Sequence, residues 1–213
     1  MGFEKVLTDM TKTVFEPSIR SRPVYGELMP RAGRAHLLVA DGEGGQALID
    51  LFAKEGGAAM LAASHIIYVP GANGCDLSGA VQAVGAAQFR RCPSFAAAQP
   101  RLRKVLADAH MGLQVYLAGT EGLIGQAMLE VTQAGLTRDA VQTEHRGSLA
   151  RRVQCVHCKG VTENVRTDPF VCSHCGLNLF VRDHYSHRIA AFQGVCIDAE
   201  DPGEVPAAVE RFK

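Results

Sequence analysis

This sequence lacks the long apolar runs and the charge excess that mark membrane proteins and nucleic-acid-binding proteins. It contains no stretch of about eighteen apolar residues, the length a membrane-spanning helix needs, and Met1-Gly-Phe-Glu-Lys5 has no apolar signal core. The formal net charge is zero, with 22 Lys and Arg balanced by 22 Asp and Glu, so the whole chain has no electrostatic preference for nucleic acid. We therefore expect a cytoplasmic protein with neither a membrane nor a nucleic acid as its partner.

The cysteine usage argues against a disulfide framework. Seven cysteines are an odd number, and four of them have metal-ligand spacing, which is typical of reduced thiols in a reducing compartment. We expect the other three, Cys75, Cys92 and Cys196, to be buried as small apolar side chains.

The four spaced cysteines form two pairs, Cys155-Val-His-Cys158 and Cys172-Ser-His-Cys175, separated by thirteen residues. Each pair allows a tight turn to aim two thiolates at one ion, and the spacer has the length of a hairpin. Gly176 follows the second pair and can adopt a positive φ there. The spacing predicts one structural zinc ion in a closed shell of four sulfurs, with no coordination position open to a substrate and no catalytic role.

Two alternatives for this metal site stay open. Iron could bind the same four sulfurs, as in rubredoxin, but rubredoxin knuckles usually read Cys-Pro-x-Cys-Gly, whereas here Ser173 replaces the proline and Lys159 follows Cys158. His157 and His174 lie inside the knuckles and could replace a cysteine, although solvent-facing imidazoles beside a complete set of four cysteines are the simpler interpretation.

The first half of the chain alternates between apolar runs and amphipathic segments. Strands are predicted at residues 36–41, 65–69 and 113–119. Helices are predicted at residues 46–54 and in an Ala/Val-rich stretch that ends near Gln88. Two more are predicted, one with Pro100 in its first turn and one that Thr120 caps and Gly135 ends. This alternation indicates a parallel sheet covered on both faces. The predicted fold is therefore α/β, a parallel sheet with flanking helices, plus a small C-terminal zinc ribbon. We divide the chain into an N-terminal arm (1–34), an α/β domain (35–146), a zinc-ribbon domain (147–198) and a tail (199–213).

Two loops at predicted strand ends are candidate nucleotide-binding loops, because ligands of such sheets bind at the carboxyl ends of the strands. Glycines there allow a phosphate to approach backbone N–H groups and a helix N-terminus, although Asp41 and Glu43 place negative charge in the same region. A tight turn without any ligand is the alternative interpretation. The candidate residues are Asp41, Gly42, Gly44, Gly45, Gly119, Thr120 and Glu121.

The order of these loops, together with Val141-Gln-Thr-Glu-His-Arg146, resembles the NAD(P)H-binding domain of ferredoxin reductase-like flavoproteins. In that family, one strand ends in Cys/Ala-Gly-Pro before a helix, and Ala118-Gly119-Thr120 matches this motif with threonine in place of proline. The final strand of the family leads to an acidic residue, which Glu144 matches here. The resemblance implies a site for NAD(P)H or a flavin. Residues 1–34 are too short for the flavin-binding barrel of the family.

From Cys155 onward the chain resembles the DmmA-type subunit of dimethylamine monooxygenase. The resemblance is carried by the ribbon, by Leu179-Phe-Val-Arg-Asp-His-Tyr-Ser-His-Arg188 and by Ala190-Ala-Phe-Gln-Gly194. It implies an accessory subunit of a bacterial multisubunit oxygenase that converts dimethylamine to methylamine and formaldehyde with electrons from NAD(P)H. It also implies that the redox cofactors belong to other subunits, which are the expected partners. A reductase component that binds NAD(P)H or a flavin itself is the first alternative.

The segment after the metal motif is the candidate contact surface for another subunit. It concentrates basic and aromatic side chains, which dominate the energetics of interfaces; internal packing on the ribbon is the alternative. The residues are Arg182, His184, Tyr185, His187 and Arg188. A nucleic-acid-binding ribbon is a further alternative, because Arg146, Arg151, Arg152, Lys159 and Arg166 make this region basic, but the ribbon has no stacked aromatics.

Overall fold

The structure, a computed structural model, describes residues 21–213. The α/β domain is built on five parallel strands, in the spatial order β3-β2-β1-β4-β5. The strands are β1 (Ala35–Asp41), β2 (Ser64–Val69), β3 (Gln88–Arg91), β4 (Leu113–Gly119) and β5 (Val141–His145). The predicted parallel α/β sheet is confirmed, and the order of its strands reverses between β1 and β4.

Helices cover both faces of this sheet because alternate residues of each central strand are apolar on opposite sides. Leu38, Tyr68 and Tyr116 pack beneath the first three helices, whereas Leu37 and Val115 pack beneath the last two. The helices are α1 (Gly44–Ala53), α2 (Gly57–Met60), α3 (Ser78–Ala83), α4 (Phe95–Ala107) and α5 (Glu121–Gln133), with 3₁₀ turns at Leu61–Ala63 and Arg138–Ala140.

Two local predictions for the α/β domain are wrong. Helix α4 begins at Phe95, five residues before Pro100, because the Ser94 hydroxyl accepts a hydrogen bond from the N–H of Ala97 (3.2 Å) and caps the helix. Strand β3 was not predicted, because it is an edge strand with no buried side chain and no apolar alternation.

The C-terminal half folds around a second sheet in the order β7-β6-β11-β10-β9, with a separate β8–β12 pair. Phe212, near the end of the chain, is buried in the core of this sheet. The end of the predicted tail, from Val209 to Phe212, therefore packs on the ribbon. The strands are β6 (Arg151–Cys155), β7 (Val161–Val165), β8 (Thr167–Asp168), β9 (Phe170–Val171), β10 (Asn178–Ser186), β11 (Ala191–Cys196) and β12 (Val209–Glu210).

The described part of the N-terminal arm, residues 21–34, lies along β5. The N–H of Gly26 donates to the carbonyl of Thr143 (2.9 Å), and the N–H of fully buried Leu28 donates to Oε2 of Glu144 (2.7 Å). Farther toward the N-terminus, Arg22 forms an ion pair with Asp183 of β10. The arm thus contacts both domains; residues 1–20 of the predicted arm lie outside the described residues.

The ribbon packs on α5 through a glycine. A Cβ atom added to Gly125 would lie 2.5 Å from Oη of Tyr185 and 2.8 Å from Cβ of Ala190, so only glycine allows this approach. Within residues 21–213, the helices are all too short or too polar to cross a membrane.

Candidate metal centre and strand-end crevice

The structure brings the four cysteines of the two pairs together. Their sulfurs all lie within 4.8 Å of one another, with 3.8 Å between the sulfurs of Cys155 and Cys175 and 3.7 Å between those of Cys158 and Cys172. A tetrahedral ion with metal–sulfur bonds of about 2.3 Å separates its sulfurs by about 3.8 Å. The cluster therefore has the dimensions of a four-thiolate metal site.

Two similar turns position these sulfurs. The N–H of Lys159 donates to the carbonyl of Cys155 (3.0 Å), and the N–H of Gly176 donates to that of Cys172 (3.0 Å). Lys159 has φ of 62° and Gly176 has φ of 76°, so each knuckle ends in a left-handed residue. The N–H of Gly160 also donates to the sulfur of Cys158 (3.4 Å), a bond that would stabilise negative charge on a thiolate.

The acidities of the clustered thiols favour a bound cation. Burial raises the pKa of Cys172, but N–H groups of Cys175 and His174 donate to its sulfur, and the pKa falls to about 6. The N–H of Leu177 favours the Cys175 thiolate, yet burial and the neighbouring sulfurs raise the pKa of Cys175 to about 12. Since four adjacent thiolates repel one another, all four ionise together only when a cation neutralises them.

The knuckle histidines do not join the cluster. Among residues 21–213, the group with metal-binding geometry consists of the four cysteines alone. His174 lies against Gly160 of the other knuckle, and its Nε2 is 2.9 Å from the carbonyl of Val161, so it joins the two turns; His157 is exposed. Of the remaining cysteines, Cys92 is buried as predicted, whereas Cys75 and Cys196 are only partly buried.

The first candidate nucleotide loop is closed by its own acidic residue. Oδ1 of Asp41 accepts a hydrogen bond from the N–H of Thr120 (2.7 Å), and Oδ2 accepts one from the Thr120 hydroxyl (2.6 Å). A Cβ atom built on Gly119 would lie only 1.9 Å from Oδ1 of Asp41. The carboxylate thus fills the space between β1 and β4, where the strand order reverses and ligands of such sheets bind. Burial raises the pKa of Asp41.

The glycines of this loop serve packing and turn geometry. A Cβ atom on Gly44 would lie 2.3 Å from the carbonyl oxygen of Ala118, so glycine lets α1 begin against β4. The N–H of Gly45 bonds to the carbonyl of Gly42 (3.1 Å), and the N–H of Gln46 bonds to that of Glu43 (3.0 Å). These donors of the first turn of α1 already have partners within the chain.

The second loop is covered by the arm. Tyr25 hydrogen-bonds the carboxylate of Glu121, and burial raises the pKa values of both groups. The N–H of Arg146 bonds to the carbonyl of Gly119 (2.9 Å), but the guanidinium of Arg146 pairs with Glu144 and Asp50. The region around the two loops is therefore acidic, and its neighbouring arginine is already paired.

The predicted contact segment divides into exposed and buried residues. Arg182, His184, His187 and Arg188 are exposed. Tyr185 is only 6% exposed, because it packs on Gly125 and against the ring of Phe192, with centroids 5.1 Å apart. Its inclusion in an intersubunit surface is corrected on this ground, and internal packing explains this residue.

Sequence reasoning missed the partners that hold Arg151 and Arg152 within the ribbon. Arg151 lies between the rings of Phe192 and Phe212, at 4.0 and 4.2 Å from their centroids, and donates to Asp183 (2.7 Å). Burial lowers the pKa of Arg151 to about 10. Arg152 likewise pairs with Glu163, so these basic residues are neutralised within the chain. No local pattern signals such long-range partners.

Two family models match most of the chain. The N-terminal domain described as "Dimethylamine monooxygenase subunit DmmA-like" matches residues 17–141, and the C-terminal domain of the same description matches residues 152–195. A curated relative, the heme-dependent oxidative N-demethylase delta subunit of Ectopseudomonas mendocina (strain ymp), is 36% identical over 110 residues. The matched region covers 52% of this chain and 63% of that protein, less than two thirds of its length.

Solved structures show partial likeness. Phthalate dioxygenase reductase is 12% identical, with a TM-score of 0.43 over 66% of this chain and 46% of that one. The flavohemoglobin of Malassezia yamatoensis is 11% identical, with a TM-score of 0.38 over 54% of this chain and 32% of that one. The fold assignment rests on the parallel sheet itself.

Proposed function

The chain belongs to the DmmA-like family of dimethylamine monooxygenase subunits, and from this membership we propose that it is an accessory subunit of a multisubunit, NAD(P)H-dependent amine monooxygenase. In this proposal the complex oxidatively demethylates dimethylamine to methylamine and formaldehyde, as the name of the N-demethylase relative suggests for its own reaction class. The chain holds the complex together and does not carry the electrons, and it works in the cytoplasm.

One observation carries the accessory role, namely the closure of the strand-end crevice. A pyrophosphate needs unpaired N–H groups and positive charge at this position. Here the Asp41 carboxylate fills the gap beside Gly119, and two donors at the start of α1, the N–H groups of Gly45 and Gln46, are occupied. Ionised Asp41 and Glu43 would repel a phosphate. The residues therefore fit neither NAD(P)H nor a flavin, and we assign those cofactors to partner subunits.

We further propose that Cys155, Cys158, Cys172 and Cys175 bind one zinc ion. The sulfur separations suit a tetrahedral ion, and soft thiolates select zinc or iron. Zinc is favoured because Lys159 and Ser173 stand where rubredoxin knuckles have glycine and proline. The ion supplies folding energy, since a ribbon of this size buries too little apolar surface to be stable alone.

The exposed residues of the contact segment are the proposed docking surface. His184 and Arg188, together with Lys159, line a surface groove of about 430 Å³ on the ribbon. Its lining contains no acidic side chain, and the neighbouring acid Asp183 is engaged by Arg22 and Arg151. An acidic surface on a redox-active subunit is the partner that complements this charge.

Cofactor binding by the purified chain tests the accessory role against the reductase alternative. Calorimetry with NADPH and with FMN should give no heat of binding at about 100 μM ligand, and size exclusion should show no visible absorption band that follows the protein. A dissociation constant in the micromolar range, or a flavin that stays with the chain, would favour a reductase component. Albumin of equal concentration serves as the blank for nonspecific binding.

A further inference from the structure

A cavity of about 770 Å³ lies at the amino-terminal ends of the strands. The closed crevice lies at the other ends of the same strands, the carboxyl-terminal ones. It runs across the starts of β1, β2 and β3 and the loop that precedes β4. We call it the edge cavity. Its volume lies within the range of about 300 to 1,000 Å³ that is common for small-molecule sites.

Two buried histidines line the edge cavity from opposite faces of the sheet. His36 of β1 is 3% exposed, and His65 of the neighbouring β2 is 9% exposed. His36 lies beside Tyr116, on the side of α1, whereas Nε2 of His65 is 3.4 Å from Nε of Arg101 on α4. The cavity therefore extends past the amino-terminal ends of the strands, from one face of the sheet to the other, and an imidazole lines it on each face.

His36 has an unmet need for a hydrogen-bond partner. Its Nδ1 is buried and has no partner within residues 21–213, although buried polar atoms in proteins are nearly always paired. Burial also lowers the pKa of His36, so the imidazole is neutral at pH 7. A neutral imidazole offers one N–H donor and one acceptor nitrogen. Nδ1 is shielded from the cavity, but the His36 ring lines it, so a ligand bound there would change the surroundings of the ring nitrogens.

The charge of the cavity points to an anion. Arg34, Arg101 and Lys104 line it, and the acid in the lining, Asp108, is paired with Lys104 (2.9 Å). Arg101 uses two of its five N–H groups on His65 and on Gln88 (2.9 Å), and Arg34 forms no ion pair with any described residue. Most of the remaining wall is apolar, and Ser64 and His110 are its other polar residues. The apolar residues include Ala62, Ala63, Ala87, Val105, Ala109 and Leu113.

We propose that the edge cavity is a binding site for a small organic anion, a carboxylate or phosphate monoester with an apolar body. Arg34 and Arg101 would hold the anionic group, the alanine-rich wall would cover the apolar body, and the ligand would lie against the ring of His36, which lines the cavity. This proposal does not depend on the proposed function, because it concerns the opposite edge of the sheet.

The test uses the full chain with phenyl phosphate, benzoate, inorganic phosphate and neutral benzyl alcohol as probes. Melting temperature and calorimetry measure binding, and long-range ¹H–¹⁵N spectra report the ring nitrogens of His36. We expect one of the two aromatic anions to bind, with a shift of the His36 ring nitrogen, and benzyl alcohol to bind at least tenfold more weakly. Comparing phenyl phosphate with benzoate distinguishes the phosphate from the carboxylate ligand.

Arg34→Gln and Arg101→Gln should each weaken binding of the aromatic anion at least tenfold. Arg166→Gln on the ribbon, which also removes one exposed arginine, should leave this binding unchanged. Arg34 is exposed, so its variant keeps the test valid if the Arg101 variant fails to fold. The proposal is overturned if neither aromatic anion moves the signals of the His36 ring nitrogens, if inorganic phosphate stabilises every variant equally, or if the Arg166 variant loses as much affinity as the Arg34 and Arg101 variants.

Discussion

Asp41 at the end of β1 binds Thr120 at the start of α5 through both carboxylate oxygens, at 2.7 Å from the N–H and 2.6 Å from the hydroxyl. These two bonds join the loops that would have to separate to admit a dinucleotide. Thr120 also caps α5, because its hydroxyl oxygen accepts a hydrogen bond from the N–H of Leu123 (3.3 Å). The interaction that closes the crevice therefore also anchors a helix.

The buried carboxylate predicts an unusual pH dependence. Burial raises the pKa of Asp41 above its ordinary value of 3.8, so the folded state binds the carboxyl proton more tightly than the unfolded state does. The contribution of Asp41 to the free energy of unfolding therefore falls as the pH rises from the unfolded-state pKa through the folded-state pKa. In Asp41→Asn this dependence is absent. We expect urea denaturation from pH 4 to 7 to show the wild type losing stability relative to this variant.

Asp76→Asn, measured from pH 2 to 4, is the control with the opposite sign. The N–H of Ser78, with help from its hydroxyl and from Arg91, lowers the pKa of Asp76 to about 2. Its contribution is therefore present above the unfolded pKa of about 3.8 and is lost as pH falls toward 2. If Asp41→Asn and the wild type keep a constant stability difference across the range, the carboxylate is not buried as described.

The metal centre makes a prediction about which thiols matter. The wild type should contain about one zinc per chain by elemental analysis, and Cys172→Ser should lose it and unfold the ribbon while the α/β domain keeps its helical circular dichroism. Cys196→Ser is the matched control, because its sulfur bonds Asp198 (3.1 Å) and lies outside the cluster. Iron in the purified protein, or zinc retained by Cys172→Ser, would contradict the assignment.

The contact between the domains should be sensitive to one methyl group. Gly125→Ala would bring Cβ within 2.5 Å of the Tyr185 hydroxyl, and overpacking of this kind costs about 1–3 kcal/mol. Denaturant unfolding measures the loss. Gly122→Ala, in the same helix with its nearest neighbour 4.0 Å away, should be neutral or stabilising.

Rescue identifies the cause of that loss. Tyr185→Phe removes the clashing oxygen, so the Gly125→Ala, Tyr185→Phe double variant should regain part of the stability. Equal losses in Gly125→Ala and Gly122→Ala, or no rescue, would mean that the tyrosine contact does not hold the domains together.

Much of the fold was accessible from the sequence, because its central elements are strongly periodic. Strands β1, β2 and β4 are buried apolar runs and were predicted within one residue of their observed limits. Strand β3, Gln88-Phe-Arg-Arg91, carries no such signal, because an exposed edge strand has no buried face to produce one. The start of α4 was predicted near Pro100 for a different reason, the preference of proline for the first turn of a helix. The Ser94 cap outweighed that preference.

The candidate sites were only partly accessible. Cysteine spacing located the metal cluster because its ligands are local in sequence, and the acidic character of the first loop was visible at Asp41 and Glu43. That Asp41 bonds Thr120, 79 residues away, depends on the pairing of β1 with β4. The burial of Tyr185 depends on a contact between two domains, and the pairing of Arg151 with Asp183 joins separate strands; neither leaves a periodic pattern.

The docking surface makes a quantitative prediction. Arg182→Ala and Arg188→Ala should each weaken assembly with the partner subunits by on the order of 1 to 3 kcal/mol, because arginine contributes strongly when it is desolvated at an interface. Zinc content and melting temperature should not change, since both side chains are exposed. Arg90→Ala, an exposed arginine of β3, controls for loss of charge. Normal assembly by both ribbon variants would exclude this surface.

The most direct test of the accessory role is to purify the tagged chain from its native operon and identify the proteins that elute with it. We predict stoichiometric co-elution with redox-active subunits, NAD(P)H-dependent dimethylamine demethylation that is lost when this chain is omitted, and no NAD(P)H oxidation by the chain alone. A chain that elutes alone, or that oxidises NAD(P)H without its partners, would contradict the account.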